Sequence, residues 1–353
     1  RIMAYTTINK SSDYFNTKIY TGTGSSNALT GVGFEPSLTW IKSRSNPYSH
    51  TLTDAVRGVT KHISTNNTND EYTSTTEITS FDSDGFTVGT DAGVNNSSST
   101  FASWNWLANG QGSSNTDGSI NTTYTSVNNT AGFSISSYTG TGANATIGTG
   151  LTSKPACVII KNLTDASTEW MIGHQGLATN AFSSNKYIHF NTATTATNAS
   201  SWNSIEPTSN GIVSLGNGSY LNGSGKNYIC YAFTEKQGYS KFGSYEGNGS
   251  TDGSFIFTGF KPAFVMMKGI DSGGSDNWNL CDNKRVGYNA ANWRLYPNAT
   301  AGENSTSLVD ILSNGFKLRV SSTDVNASAK TYIFMAFAEA PLVGSNNVPA
   351  NAR

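Results

Sequence analysis

The sequence predicts an all-β protein made of three tandem β-sandwiches of jelly-roll or concanavalin A-like type, and three recurring anchors carry that expectation. An aromatic followed by alternating glycines opens each copy: Tyr20-Thr-Gly22-Thr-Gly24, Tyr138-Thr-Gly140-Thr-Gly142 and Tyr245-Glu-Gly247-Asn-Gly249. A proline then leads an apolar run into a lysine, from Pro36 to Lys42, Pro155 to Lys161 and Pro262 to Lys268. A turn follows at Ser83-Asp84-Gly85-Phe86, Ser209-Asn210-Gly211-Ile212 and Ser313-Asn314-Gly315-Phe316, and a closing apolar strand ends each copy: FASWNW (101–106), YICYAF (228–233) and YIFMAF (332–337).

Each anchor has a mechanical reading. Asp-Gly and Asn-Gly accept the positive φ of a tight type I′ turn, so the third anchor predicts a hairpin. Proline suits the first residue of a strand, where its missing N–H breaks no ladder bond. Runs such as CVII and FVMM are apolar at every position, as expected of strands buried on both faces, and no helical periodicity of useful length appears. The copies are placed at 1–125, 132–237 and 239–345, with the Ser/Thr/Asn/Gly-rich stretch 109–131 as the clearest linker.

Composition narrows the function classes. Of 353 residues, 36% are hydrophobic and only 13% charged, so polarity comes from hydroxyls and amides, while 11% aromatic content argues against disorder. A net charge of −1 with no block of either sign leaves no electrostatic footprint for nucleic acid. No apolar stretch approaches the length of a membrane span, so membrane insertion is not expected, and the first residues lack a hydrophobic signal core. Met3-Ala4-Tyr5 reads as a natural start, with Arg1 and Ile2 as an upstream remnant or the mark of a fragment. Cys157, Cys230 and Cys281 lie inside apolar runs and read as buried free thiols.

The repeats also sift the candidate chemistry. Asp82-Ser-Asp84-Gly85 suggests a calcium loop, but the matching positions of the other copies keep only the turn residues, so no metal is expected. His50, His62, His174 and His189 have no metal-ligand or nucleophile–base spacing, and the glutamates are scattered, so no catalytic residue and no cofactor is assigned. One charged pair recurs, Asp54 with Arg57 and Asp282 with Arg285, while the second copy has His174 in that place; these are read as structural ion pairs tethering loops. Sequons at Asn66, Asn121, Asn248 and Asn326 follow from composition. Trp40, Trp104, Trp106, Trp170 and Trp278 fall in shared strands and belong to cores. Trp202 and Trp293, with Tyr288 and Tyr296, are unmatched aromatics and become the candidate ligand-contacting residues, since flat aromatic faces stack on sugar rings.

The first copy, with YFNTKIYTGTG, LTGVGFEPSLTWIKSR, HTLTDAVRG, ITSFDSDGFTVG and FASWNW, resembles a domain of uncharacterised virion and tail-fibre-like proteins of tailed bacteriophages, many of them marine. The resemblance covers residues 14–108 strongly and reaches the later copies through the internal repeat. It implies a non-enzymatic virion structural protein, a tail fibre, spike or capsid decoration. Such a protein is made in the host cytoplasm and displayed on the virion surface. Its expected partners are other virion proteins, further copies of itself in a homo-oligomer such as a trimer, and host-surface polysaccharide. A glycan-active hydrolase on a sandwich scaffold and a cellular surface-layer or adhesin protein are the alternatives.

Overall fold

The computed structural model describes residues 5–177, 186–194, 197–198, 205–271, 276–286, 289 and 291–343. It is almost entirely β, in antiparallel sheets, and one strand order recurs along the chain. In the first unit Phe15–Thr21, Thr100–Trp106, Leu38–Ser43 and Thr51–Asp54 form a four-stranded inner sheet, while Asn27–Thr30, Gly85–Val88 and Ile78–Asp82 form an outer one. The second unit repeats the inner order with Phe133–Thr139, Asn227–Phe233, Cys157–Asn162 and Met171–His174, and adds Tyr124–Asn128 at one edge and Lys186–His189, then Thr197–Asn198, at the other. Its outer sheet is Ala145–Gly148, Ile212–Leu215 and Ile205–Ser209. In the third unit Ser240–Glu246, Thr331–Pro341, Phe260–Gly269 and Asn279–Asp282 face Phe255–Phe257, Gly315–Leu318, Asn304–Leu312 and Ala291–Arg294.

The both-faces-apolar strands now have a cause. One face of each inner sheet meets its own outer sheet: Phe101 and Ile41 in the first unit, Val158, Ile160 and Cys230 in the second, Val265, Met267 and Phe334 in the third. The alternate residues turn the other way into one cluster shared by all three units, which holds Trp40, Trp104 and Trp106 with Ile159, Tyr231 and Phe233 and with Phe264, Met266 and Phe337. A period of two thus buries every residue, because each strand is sandwiched twice. The thiols of Cys157, Cys230 and Cys281 are free and buried in these layers.

The recurrent tyrosine and glycines form a clasp at the end of each sandwich. Tyr20, Tyr138 and Tyr245 stack on Phe101, Tyr228 and Tyr332 at 5.1, 5.1 and 5.2 Å, and their hydroxyls donate to Val94, Leu221 and Val325 carbonyls of a single-turn helix. Gly22, Gly140 and Gly247 are required because a Cβ would overlap the backbone leaving that helix. The same helix contributes a fully buried asparagine, Asn95, Asn222 or Asn326, whose Oδ1 accepts from Thr23, Thr141 or Asn248 N–H. This Val/Leu-Asn repeat is an anchor that sequence comparison missed, and it removes Asn326 from the accessible sequons.

Three sequence expectations need correction. The hairpins are not type I′: Asp82 pairs with Gly85 and Leu312 with Gly315 around Ser83-Asp84 and Ser313-Asn314, and none of those four turn residues has positive φ. Gly85 and Gly315 serve close approach, since a Cβ would strike the Leu29 or Ile256 carbonyl of the neighbouring strand, while Gly85 and Gly211 also have positive φ, 153° and 68°. Pro36 and Pro155 lie two residues before their strands, but Pro262 lies within one, where the register shifts at a bulge and its missing N–H is tolerated.

The third correction concerns 109–131, which is no free linker. Tyr124–Asn128 pairs antiparallel with Phe133–Ser137, and Ile120, 6% exposed, enters the second unit's core while its N–H donates to Thr146 O at 2.9 Å. Hydroxyls of Thr122, Thr125 and Ser136 form a chain at 2.9 and 3.0 Å, so the polar composition that looked like a linker satisfies an edge strand.

Candidate functional site

The recurrent charges sit between units. Arg57 Nε donates to Asp54 Oδ2 at 2.6 Å, and Tyr231 of the second unit donates its hydroxyl to the same oxygen at 2.8 Å. Arg285 Nε meets Asp282 Oδ2 at 2.6 Å, and there the inter-unit donor is Trp104 Nε1 of the first unit at 3.1 Å. Tyr231 and Trp104 occupy equivalent positions of the closing strand, and Met335 is their counterpart in the third unit. Met335 has no proton to donate. The second unit accordingly carries His174 in the aspartate's place, and its Nε2 donates to the Phe334 carbonyl at 3.2 Å. The departure in copy two is therefore matched by its partner. These pairs pin unit to unit rather than a loop beyond a sandwich edge.

A second ring of contacts follows the same cycle. His50 Nε2 donates to Tyr296 O, Trp170 Nε1 to Ser64 O and Trp278 Nε1 to His189 O, at 3.0, 2.9 and 2.9 Å, each reaching a different unit. The backbone N–H of each of those three residues is held by an asparagine: Asn66, Asn191 or Asn298. The lysines of the second anchor are fully buried and end on backbone carbonyls, Lys161 on Thr68 O at 3.0 Å and Lys268 on Ala193 O at 2.8 Å, again across units, while Lys42 bonds Ser43 O at 2.8 Å. Burial lowers all three ammonium groups to about 8.

A strongly perturbed carboxyl lies in the first unit. Burial pushes Glu77 up to about 7, against the pull of Tyr72, whose hydroxyl donates to it at 3.1 Å; His62 Nδ1 stands 3.8 Å away. Its neighbour Asp91 caps a helix through Gly93 N–H at 2.7 Å, and the Glu77 side chain is only 6% exposed. The group is buried and already hydrogen-bonded to Tyr72, so it reads as structural. His50, His62 and His174 are each neutral, with Nε2–H on a carbonyl and Nδ1 accepting from Trp40, Thr53 or Gly176. A second proton breaks an accepted hydrogen bond, and burial holds His62 and His174 near 4 and His50 well below its ordinary 6.5.

The stability consequence has a definite sign. A depressed histidine contributes stability that is present above 6.5 and is lost as pH falls toward 4, whereas the raised Glu77 loses stability as pH rises from 4.5 through 7. Three histidines outweigh one glutamate, so Tm is expected to fall between pH 6.5 and 4.5. Glu77→Gln is expected to add about 1–3 kcal/mol at pH 8 and little at pH 5. Thermal melts at the two pH values check this, and an equal shift at both rejects it.

Among the aromatic candidates, Trp202 and Tyr288 lie outside the described residues. Trp293, 38% exposed, stands on the outer-sheet edge strand Ala291–Arg294. Tyr296 is half-buried beneath the Arg294 guanidinium, 4.9 Å from its ring centroid, and Arg294 is tied to Asp324 at 3.2 Å. The calcium-like loop is likewise occupied: Asp84 accepts from Gly31 and Gly33 N–H at 2.9 and 2.7 Å, and no metal-binding cluster occurs among the described residues.

One open cleft among the described residues was not flagged by the sequence. Phe255 and Phe257 are 46% and 56% exposed on either side of buried Ile256, and they border a cleft of about 420 Å³ that runs past Gly243, Ser244 and Gln175. A second hollow of about 400 Å³ lies beyond Phe257, lined by Tyr5, Glu235 and Lys241. The run FIF reads as a buried strand; the available signal was the repeat, which places Ala28 and Thr30, then Thr146 and Gly148, where the third unit has its two phenylalanines.

Residues 10–341 match a family model described as a domain of unknown function, DUF7483. The chain belongs to that family. The DUF7483 match runs through all three units and their shared core as one stretch. A comparison with curated proteins found no match.

Proposed function

We propose that the protein is a non-catalytic structural component of a bacteriophage particle, a tail fibre, spike or capsid decoration, that meets host-surface glycans with its exposed aromatics. The observation that carries the reading is how the charged side chains are used: Asp54, Arg57, Asp282, Arg285, Lys161 and Lys268 are buried in contacts that lock units together. Such an arrangement suits a rigid scaffold, since a buried, fully paired group is unavailable to a substrate. The resemblance of residues 14–108 to virion proteins supplies the setting, and a surface of hydroxyls and amides suits close packing in a repeated assembly.

Mass spectrometry of purified particles of the source phage, followed by antibody labelling in electron micrographs, tests the structural half; absence of the chain from particles rejects it. For the recognition half, purified protein is expected to bind host cells, and Trp293→Ala to weaken that binding about threefold to tenfold. Unchanged binding removes Trp293 from the reading, and release of reducing sugar from host polysaccharide favours a hydrolase instead.

A further inference from the structure

We propose that the open edge of the third unit is a docking site for an extended, uncharged polypeptide strand, which joins the sheet there as residues 118–128 of the chain already do in the second unit. The three units offer the same place, the gap between the first strand of the inner sheet and the edge strand of the outer sheet, and each treats it differently. In the first unit Lys18 points into the gap, an inward-facing charge of the kind that blocks edge-to-edge pairing. In the second unit the chain itself fills it: Ile120 N–H bonds Thr146 O, Thr123 N–H bonds Ser137 O at 2.8 Å, and Tyr124–Asn128 continues the inner sheet. In the third unit the counterpart of Lys18 and Ser136 is Gly243, and among the described residues no strand lies beyond either Ser240–Glu246 or Phe255–Phe257.

The cleft also limits its occupant. Gln175 Nε2 donates to Phe242 O at 2.6 Å and Glu235 Oε1 accepts from Phe242 N–H at 3.0 Å, so side chains already cap the edge at that residue. At Ser244 the edge has no such cap among the described residues, while the Glu246 carbonyl beyond it accepts from Ser254 Oγ at 3.0 Å; Ser244 is the counterpart of Ser137, to which Thr123 bonds in the second unit. Charge points the same way. Lys241 and Glu235 neutralise each other at 3.0 Å, leaving no net charge to recruit an ionic ligand, and residues 118–128 are themselves uncharged. Phe255 and Phe257 then cover the strand's outer side, where Asn115 and Ser119 stand against Gly148 and Thr146 in the second unit. Main-chain pairing supplies affinity in such a site and the side-chain pockets supply selectivity.

The test uses the full chain and a capped fluorescent peptide with the sequence of residues 118–126. Saturable binding is expected, with amide exchange slowed about tenfold or more at 244–246 and 255–257. Phe257→Lys, a change at an exposed side chain that leaves the core intact, is expected to weaken binding about tenfold, as is an aspartate in place of the peptide's isoleucine. Absence of peptide binding, equal affinity of the Phe257→Lys variant, or protection of these amides by a neutral oligosaccharide in place of the peptide each overturns the proposal.

Discussion

Phe337→Ala is expected to cost about 3–5 kcal/mol and to lower the melting of the whole chain in one step. The Phe337 ring lies 5.2 and 5.6 Å from Phe15 and Trp106 of the first unit, 5.7 Å from Phe233 of the second and 6.0 Å from Phe264 of its own. Truncation therefore opens a cavity that no single unit can close, since the rings around it stand on different sheets. Denaturation followed by tryptophan fluorescence and by calorimetry is the measurement. Separate transitions, with only the third unit weakened, sink the idea that the shared cluster couples the units. Val213→Ala, within the second unit's own cluster, is the comparison, expected to cost about 1–2 kcal/mol.

Asp282→Ala is expected to be as severe, about 3–5 kcal/mol, because it leaves Arg285 charged in a site where both side chains are 0% exposed. Glu303 at 3.0 Å remains as a partial counter-charge, so an Asp282→Ala/Arg285→Leu double variant is expected to regain much of the loss. Trp104→Phe removes the donor from the neighbouring unit together with part of a fully buried ring and is expected to cost about 2–4 kcal/mol. Urea unfolding of the four proteins decides: if the single aspartate variant unfolds at the wild-type midpoint, the ion pair is not what joins these units.

The candidate site was less legible than the fold. Tyr20, Tyr138 and Tyr245 recur because the clasp within each unit needs them, so comparing copies finds them without knowing their contacts. Asp54 and His174 have different chemistry at the same position because their partners, Tyr231 and Phe334, come from another unit. Only the way the copies face each other explains that difference. Phe255 and Phe257 were overlooked for the converse reason: in an edge strand the outward residues of an apolar run are exposed, and which strand is an edge is settled by what packs beside it.

By itself the sequence determined the all-β class, the recurrent anchors and the strands apolar on both faces, since strand period, turn residues and burial preference act over a few residues. The tertiary structure alone decided that the second apolar face meets a core common to three units, that 109–131 is an edge strand and its lead-in, and that Ser240–Glu246 has no further strand beside it among the described residues. Those outcomes depend on surfaces brought together from residues more than a hundred positions apart, as Phe15 and Phe337 are, and no local pattern encodes which surfaces those will be.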